Sequence, residues 1–340
     1  DLPMNTEIFH KDFKAAPFWW EAHRPVPLPE IALPREKRVV IVGAGYAGLS
    51  AALELTALGL DCLVLDANEP GFGASSRNGG MVSGGVNVGK RYMSKPMPAD
   101  EAAPFMNDAA DAFTLIEDLI TRENIDCAWT KAGYFLGAWC KSHYDDMAKK
   151  VENLNAAAKS DSYLVPQERQ REEIGSDYYR GGMVVGRAAH LHPAMFFKGL
   201  LELCQTRGVK IASNTPVTKL TQSATGWSVE TPRGSITAGD VIIATNGYTG
   251  DVTPQLKRRV VPVGSYIIAT EELPSDLAAT LSPKNRSFAD TRRVLTYFRM
   301  SPDGKRLIFG GRAKFGHTDP VETAPILYQF MTDRYPQLKG

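Results

Sequence analysis

The chain has 340 residues, of which 43% are hydrophobic and 23% charged, ordinary values for a soluble globular protein. That length is more than one compact core usually holds, so two domains are expected. With 39 basic and 38 acidic residues the formal charge is +1, and the longest basic run is Lys257-Arg258-Arg259, which gives no footing for nucleic acid or an acidic membrane surface as a partner. No apolar run approaches a membrane span and no leader-like pattern opens the chain, so a cytoplasmic protein is expected. Cys62, Cys127, Cys140 and Cys204 are scattered without CxxC or zinc spacing, and read as free thiols in a reducing compartment.

In chain order, residues 1–35 are rich in proline and aromatics, including Phe18-Trp19-Trp20, and read as an extended arm whose aromatics dock on the body. Val39-Val40-Ile41-Val42 is a continuous apolar run suited to a strand covered on both faces. Leu49, Ala52, Leu53 and Ala57 then recur at helical spacing, Gly59 stands where a helix C-terminal glycine belongs, and Leu63-Val64-Leu65 forms a second strand ending at Asp66. Residues 100–123 and 141–159 read as amphipathic helices, and Ala194–Arg207 as another with Pro193 at its first position. The period then changes. Val217–Leu220, Trp227–Glu230 and Ser235–Thr237 read as a three-stranded meander, and Val241-Ile242-Ile243-Ala244 as a further, fully buried strand. Val263–Thr270, Val294–Met300 and Arg306–Gly311 read as strands of a separate, mixed sheet.

Gly43-Ala44-Gly45-Tyr46-Ala47-Gly48 fits G-x-G-x-x-G between a strand and a helix, the context in which that pattern means a dinucleotide. Gly43 permits the turn, Gly45 lets backbone approach a pyrophosphate, and Gly48 lets helix and strand pack closely. The helix N-terminus, with Tyr46 and Ala47, offers N–H groups and partial positive charge to phosphates. Asp66-Ala67 follows the second strand, and an acid there accepts from a ribose diol and disfavours a 2′-phosphate. NAD and FAD share this fingerprint. The next segment, Gly71-Phe72-Gly73-Ala74-Ser75-Ser76-Arg77-Asn78-Gly79-Gly80, is suited to wrap a diphosphate and run beneath a flat ring system. Other signals carry less. Gly84–Lys90 resembles a P-loop but lacks its strand and its Ser/Thr. His190 and His192 suit a helix-entry turn better than a metal, and no metal site is expected. No Gly-x-Ser-x-Gly elbow supports a hydrolase.

The fingerprint and the GFGASSRNGG loop, with His190-Leu191-His192-Pro193, Ala244-Thr245-Asn246-Gly247-Tyr248-Thr249 and Val261–Thr270, resemble the D-amino-acid-oxidase-like FAD oxidoreductases. Within them the sequence is most similar to the γ-glutamylputrescine oxidoreductase and iminodiacetate oxidase group. The resemblance implies an α/β plus α+β fold, a Rossmann-like FAD-binding domain with a mixed-sheet substrate domain. The division expected is an arm over 1–35, a discontinuous FAD-binding domain over 36–95 and 183–250, and a substrate domain over 96–182 and 251–340. It implies FAD as cofactor, held by Gly43, Gly45, Tyr46, Ala47, Gly48, Asp66, Ala67, Gly73, Ala74, Ser75, Arg77, Asn78, Gly79 and Gly80. By the same resemblance Val217 meets the adenine through its backbone and Ala244, Thr245, Asn246 and Gly247 lie against the dinucleotide.

Three departures from the family pattern stand out: Asp66 where glutamate is more frequent, Ser76 in place of a frequent glycine, and a chain that stops at Gly340 where relatives continue with a strand, a glycine-rich turn beside the flavin and a closing helix. The chain therefore reads as lacking that C-terminal part. The implied reaction is oxidation of the C–N bond of a small polar secondary amine or amino acid, iminodiacetate-like or γ-glutamyl-amine-like. Hydride passes to flavin N5, the imine is hydrolysed, and the electrons go on to oxygen or another acceptor. No catalytic base is named. Tyr266, Arg299 and Arg312 are substrate-facing candidates: a guanidinium reads a carboxylate bidentately, although Arg299 suits a surface ion pair equally well and Tyr266 plain core. The alternatives are a pyridine-nucleotide-dependent oxidoreductase, which the single fingerprint disfavours, and a non-catalytic dinucleotide-binding fragment.

Overall fold

A computed structural model describes residues 8–83, 90–91, 95–96, 98–261, 263–315 and 319–340. The strands in chain order are β1 (Glu36–Val42), β2 (Cys62–Leu65), β3 (Met81–Ser83), the short β4 (Lys90–Arg91) and β5 (Lys95–Pro96), β6 (Tyr134–Gly137), β7 (Ser162–Val165), β8 (Gly182–Val185) and β9 (Ala188–His190). They continue with β10 (Lys210–Ala212), β11 (Lys219–Ser223), β12 (Gly226–Thr231), β13 (Gly234–Ile243), β14 (Val263–Ala269), β15 (Ser287–Asp290), β16 (Thr296–Met300) and β17 (Leu307–Phe315). The helices are α1 (Tyr46–Ala57), α2 (Ala99–Arg122), α3 (Lys141–Ala148), α4 (Val151–Ala158), α5 (Pro193–Thr206), α6 (Pro254–Lys257), α7 (Ser275–Leu281) and α8 (Pro320–Arg334).

One sheet has the order β10-β2-β1-β13-β12-β11. β1 pairs in parallel with β2 and β13, and β2 with β10, while β11, β12 and β13 form an antiparallel meander. The apolar run of β1 explains its central place: Val39, Val40 and Ile41 are buried, and the side chains divide alternately between two apolar clusters, one under α1 and α5 and one on the opposite face. α5 begins as its sequence suggests, with Pro193 in the first turn and the His192 side chain accepting from Met195 N–H.

Two readings of this region change. Val241–Ile243 is not a separate strand but the second half of the ten-residue β13, which passes from antiparallel pairing with β12 into parallel pairing with β1. It is half-buried rather than fully buried, because α1 packs over β1 and β2 and α5 packs on α1, leaving β13 at the margin. The helix expected over 141–159 is two helices. Lys150 N–H bonds back to Met147 in a tightened turn, and the bend brings Met147 and Leu154 to one apolar cluster.

The second sheet has the order β14-β17-β16-β15-β6-β8-β7, with β6 and β15 parallel and every other pair antiparallel. Residues 183–185, expected with the cofactor half, instead lie in β8 between β6 and β7; Val184 is wholly buried in this sheet's core. Phe288, Phe298 and Phe309 stack across neighbouring strands with ring centroids 5.1 Å apart, beneath α8. The arm forms a 3-10 turn at Phe18–Glu21 and buries Trp19. The four cysteines are free, with Cys62, Cys127 and Cys204 buried and Cys140 half-buried. Among the described residues no helix is long and apolar enough to cross a membrane.

α8 is pinned to the second sheet by a wholly buried ion pair, Arg334 with Asp290. Arg334 also donates to the Tyr179 hydroxyl at 3.0 Å and to Phe330 O at 2.7 Å, while Asp290 accepts from Thr296 Oγ1 at 2.8 Å. Removing one partner leaves the other charge buried alone, so Asp290→Ala is expected to cost about 3–5 kcal/mol. The double change Asp290→Leu with Arg334→Met is expected to cost less than Asp290→Ala. Urea denaturation followed by circular dichroism measures both, and equal losses would show that the charge pairing matters little.

Candidate cofactor and substrate site

The turn between β1 and α1 is locked on both flanks. Gly43 N–H bonds to Leu65 O at 2.8 Å, tying the turn to the end of β2, and Ala244 N–H bonds to Val42 O at 2.8 Å, tying β13 to it. Gly43 has φ +109°, and a side chain there would also meet Ala244 O at 2.7 Å. A Cβ on Gly48 would lie 1.9 Å from Gly43 O, so the first turn of α1 fits against the glycine turn only without one. A Cβ on Gly45 would meet Ser75 Oγ at 2.9 Å. Ser75 Oγ itself accepts from Tyr46 N–H at 3.0 Å, joining the glycine-rich loop to the helix start. The next first-turn N–H groups, on Ala47 and Gly48, are those an α-helix leaves without intrahelical acceptors.

Asp66, expected to meet a ribose, is bound to the glycine turn itself. Its carboxylate accepts from Ala44 N–H at 2.7 Å and Asn68 N–H at 2.9 Å. Burial raises its pKa, against the pull of the Asn68 and Ala44 N–H bonds. A carboxylate has about four lone-pair sites, so two remain for ribose hydroxyls. Thr215 N–H bonds to the Asp66 backbone carbonyl at 2.7 Å, which ties the irregular segment leading to Val217 to the end of β2, while Ala67 is exposed next to it. Fingerprint, acid, Val217 segment and the Ala244–Gly247 edge thus converge at the carboxyl ends of parallel strands, where this fold class binds dinucleotides. The glycine cradle and the acid are what an FAD adenosine and diphosphate require.

The loop from Gly71 to Gly80 is folded largely by its own side chains. Ser76 Oγ donates to Gly71 O at 2.7 Å, Asn78 Nδ2 to Ala74 O and Ser75 O at 3.1 Å each, and Asn78 Oδ1 accepts from Gly80 N–H at 2.8 Å. Arg77 donates to Gly73 O at 3.2 Å and to the Tyr248 hydroxyl at 3.4 Å, and its guanidinium lies over Phe72 and Trp20. Among the described residues no acidic side chain pairs with Arg77.

A cleft of about 2650 Å³ runs from this loop around β14 to α8. Arg77, Asn78 and Gly79 stand on one wall, Asn246 and Gly247 at its edge, and Tyr297 and Ser265 on the wall made by the second sheet, whereas Tyr266, the next residue of β14, turns to the opposite face and packs on the core under α8. Tyr297 was not foreseen. Its hydroxyl lies 3.0 Å from Ser265 Oγ, and its ring packs so closely that a Cβ on Gly79 would be 3.0 Å from it and one on Gly310 2.3 Å. The signal was available: Tyr297 is two residues before Arg299 on one strand and sits opposite a glycine.

Arg299 does not line this cleft. It is 1% exposed, none of its nitrogens has a hydrogen-bond partner among the described residues, and its guanidinium lies 5.1 Å from the Trp19 ring centroid. It therefore forms no surface ion pair, and burial lowers its pKa to about 9. Arg312 lies on β17 opposite Ser265, and its side chain is outside the described residues. The P-loop-like stretch 84–89 is outside them also. His190 pairs on β9 with Met81 of β3 and bonds through Nε2 with Asn285 O at 3.0 Å, while His192 caps α5. Both have structural places.

Fold and site together define a dinucleotide-binding oxidoreductase with a second, mixed sheet closing over the cofactor end. Residues 38–340 match the DAO family, FAD dependent oxidoreductase, and the chain belongs to it. It is an FAD-dependent oxidoreductase. The chain is 33% identical over 303 residues to gamma-glutamylputrescine oxidoreductase of Escherichia coli, covering 89% of this chain and 70% of that one. It is 32% identical over 308 residues to probable oxidoreductase OrdL of Haemophilus influenzae, with 89% and 70% covered. Glycine oxidase from Geobacillus kaustophilus superposes with a TM-score of 0.70 at 16% identity over 89% of this chain and 79% of that one. L-proline dehydrogenase from P. horikoshii superposes with 0.71 at 16% over 90% and 79%.

Two outcomes follow from this geometry. Asp66→Ala removes the carboxylate that braces Ala44 N–H, and is expected to weaken FAD binding by about 1.5–3 kcal/mol. Flavin content after gel filtration and titration of FAD fluorescence measure it. His190 is buried beside the Arg299 charge, burial being the larger cause, and its pKa falls from 6.5 to about 4. An unfolded chain protonates this histidine near pH 6.5 whereas the folded one resists. The stability it contributes is complete above that pH and is lost as pH falls towards 4, amounting to about 3 kcal/mol. His190→Asn should flatten the fall in urea midpoint over that window; an unchanged profile would assign the acid sensitivity to other groups.

Proposed function

We propose that this protein oxidises the C–N bond of a small, polar secondary amine or amino acid carrying a carboxylate, giving an imine that water hydrolyses to a carbonyl compound and an amine. The observation that carries this reading is the apposition of two walls: the hydroxyl-bearing face of the second sheet, with Tyr297 and Ser265, stands directly against the Asn78-Gly79 end of the cofactor loop. On this reading the six-stranded sheet is the cofactor half and the seven-stranded sheet the substrate half, and the residues from Gly43 to Gly48, Asp66, Arg77 to Gly80 and Ala244 to Gly247 hold FAD. Bound flavin supplies the two-electron acceptor, and oxygen or another acceptor reoxidises it.

The protein's own part is to orient and to select. A substrate reaches the cleft between a tyrosine–serine hydroxyl pair and a loop of backbone amides, which suits a polar amine better than an apolar one. Arg77 places a cation on the loop side of the cleft with only neutral partners, so an anionic group, diphosphate or carboxylate, meets an uncompensated charge there. Arg299, buried away from the cleft, is dropped as a carboxylate ligand, so the anionic preference now rests on Arg77. The similarity to a gamma-glutamylputrescine oxidoreductase supports a γ-glutamyl-amine-like or iminodiacetate-like substrate. The reacting amine must be neutral; none of the described cleft residues is assigned as a base.

Anaerobic mixing of the flavin-loaded protein with a panel of secondary amines, amino acids and polyamine derivatives tests this. Carboxylated secondary amines should bleach the blue flavin absorbance, and at lower concentration than their amide or decarboxylated counterparts. Flavin that is retained but bleached by no amine or amino acid would overturn the reading.

A further inference from the structure

We propose that Trp20 is a positioning residue for the cofactor: through Ser76 the N-terminal arm holds the Gly71–Gly80 loop in its cofactor-receiving shape and so sets FAD affinity from outside the glycine cradle. The inference rests on the assignment of that loop to FAD.

The loop contains four glycines in ten residues, and ordering such a segment costs more conformational entropy than ordering an ordinary one. Gly71 N–H to Ala44 O at 3.2 Å, Tyr46 N–H to Ser75 Oγ at 3.0 Å and Leu191 N–H to Gly80 O at 2.8 Å tie it to the cofactor half of the body, and none of these reaches the arm. Trp20 supplies an outside tie: its indole N–H donates to Ser76 Oγ at 2.8 Å. Ser76 is fully buried and passes the connection on by donating to Gly71 O at 2.7 Å, so it bridges the arm and the first residue of the loop. The Trp20 ring also lies 5.9 Å from that of Phe72, and the Arg77 guanidinium covers both, 5.5 Å from Trp20 and 5.0 Å from Phe72.

The arm is itself anchored. Trp19, next in the chain, is buried with its ring 4.8 Å from that of His192, the α5 cap, and 5.1 Å from the Arg299 guanidinium on β16. Adjacent tryptophans therefore join the second sheet and α5 to the cofactor loop. This also accounts for serine at position 76. A buried hydroxyl costs free energy unless both its donor and acceptor are used, and here both are. Serine and tryptophan are thus mutually dependent: with either partner gone, the other's polar group loses its match and a single contact has been removed only once.

The test is a double-mutant cycle on the flavin-loaded chain with Trp20→Phe, Ser76→Ala and the pair together, reading FAD release after dilution and the FAD Kd from fluorescence quenching. Each single change is expected to raise Kd about threefold to tenfold, the size of one neutral hydrogen bond. The double change should raise it no further than the larger single one. A merely structural role would lower the melting temperature of the FAD-free protein and leave Kd within twofold of the parent, which overturns the proposal, as do effects that multiply in the double variant. If Ser76→Ala fails to fold, Trp20→Phe alone decides, since that side chain lies in the arm, outside both sheets. Asp66→Ala serves as the reference. If it weakens FAD and the arm variants do not, only this proposal falls; if it too leaves Kd unchanged, the cofactor-site assignment is at fault.

Discussion

The cofactor end depends on the fixed conformation of one backbone turn. Ala44 N–H is held by the Asp66 carboxylate, Gly43 N–H by the carbonyl of Leu65, and the Gly43 Cα faces the carbonyl of Ala244 with no room for a side chain. Three strand ends therefore meet at two residues. Because β1 is flanked in parallel by β2 and β13, their carboxyl ends fall together, and the acid at the tip of β2 reaches the turn that follows β1. The helix that leaves this turn is aimed by the same contacts. The order of the sheet, the absence of side chains at Gly43 and Gly48 and the placing of Asp66 are one geometric requirement seen from three sides.

The second sheet treats two buried arginines differently. In the second sheet Arg334 is matched by Asp290 and by neutral acceptors, and the pair orders α8 over a stack of phenylalanines. On β16 of that sheet Arg299 is buried without a hydrogen-bonding partner among the described residues and lies against the Trp19 ring. Its charge suppresses protonation of His190 and His192, second to burial itself. The neutral histidines are in turn free to act as structural groups, one bonded to Asn285 O and one capping α5.

Local patterns were legible in the sequence, and long-range pairings were not. The β1–α1–β2 unit follows from apolar runs, helical spacing and glycines that only a tight turn requires, and these are properties of neighbouring residues. Asp66 could be placed at the end of β2 by counting, but its bond to Ala44 N–H depends on how two strands pair. Val241–Ile243 resembled a strand of its own because Gly239 interrupts the pattern; in the fold, Arg38 of β1 packs at that glycine and β13 runs straight through. Arg299 illustrates the limit most clearly. Strand alternation put it on a face, but only the docking of an irregular arm decides whether that face at that point meets solvent, substrate or tryptophan. Tyr297, on the same face, carries no charge to mark it, and its sequence signal is only a tyrosine opposite a glycine, the combination that lets a ring lie against a neighbouring loop.

The arm completes the argument about how such a site is made from glycine-rich backbone. Glycines are needed where the chain must approach a diphosphate, yet each glycine makes the unligated loop less ordered. Order has to come from elsewhere, and side chains reaching in from another part of the chain can supply it without occupying the approach itself. Ser75 does so from within the loop by capping the Tyr46 N–H, and Asn78 by bonding to both Ala74 and Ser75 carbonyls. Trp20 does so from the arm through a hydroxyl that is itself wholly buried. The departure at Ser76 from the more frequent glycine then has a physical consequence: one residue fewer with free backbone rotation, and one hydroxyl that ties the loop to a tryptophan, whose neighbour is fixed against the second sheet.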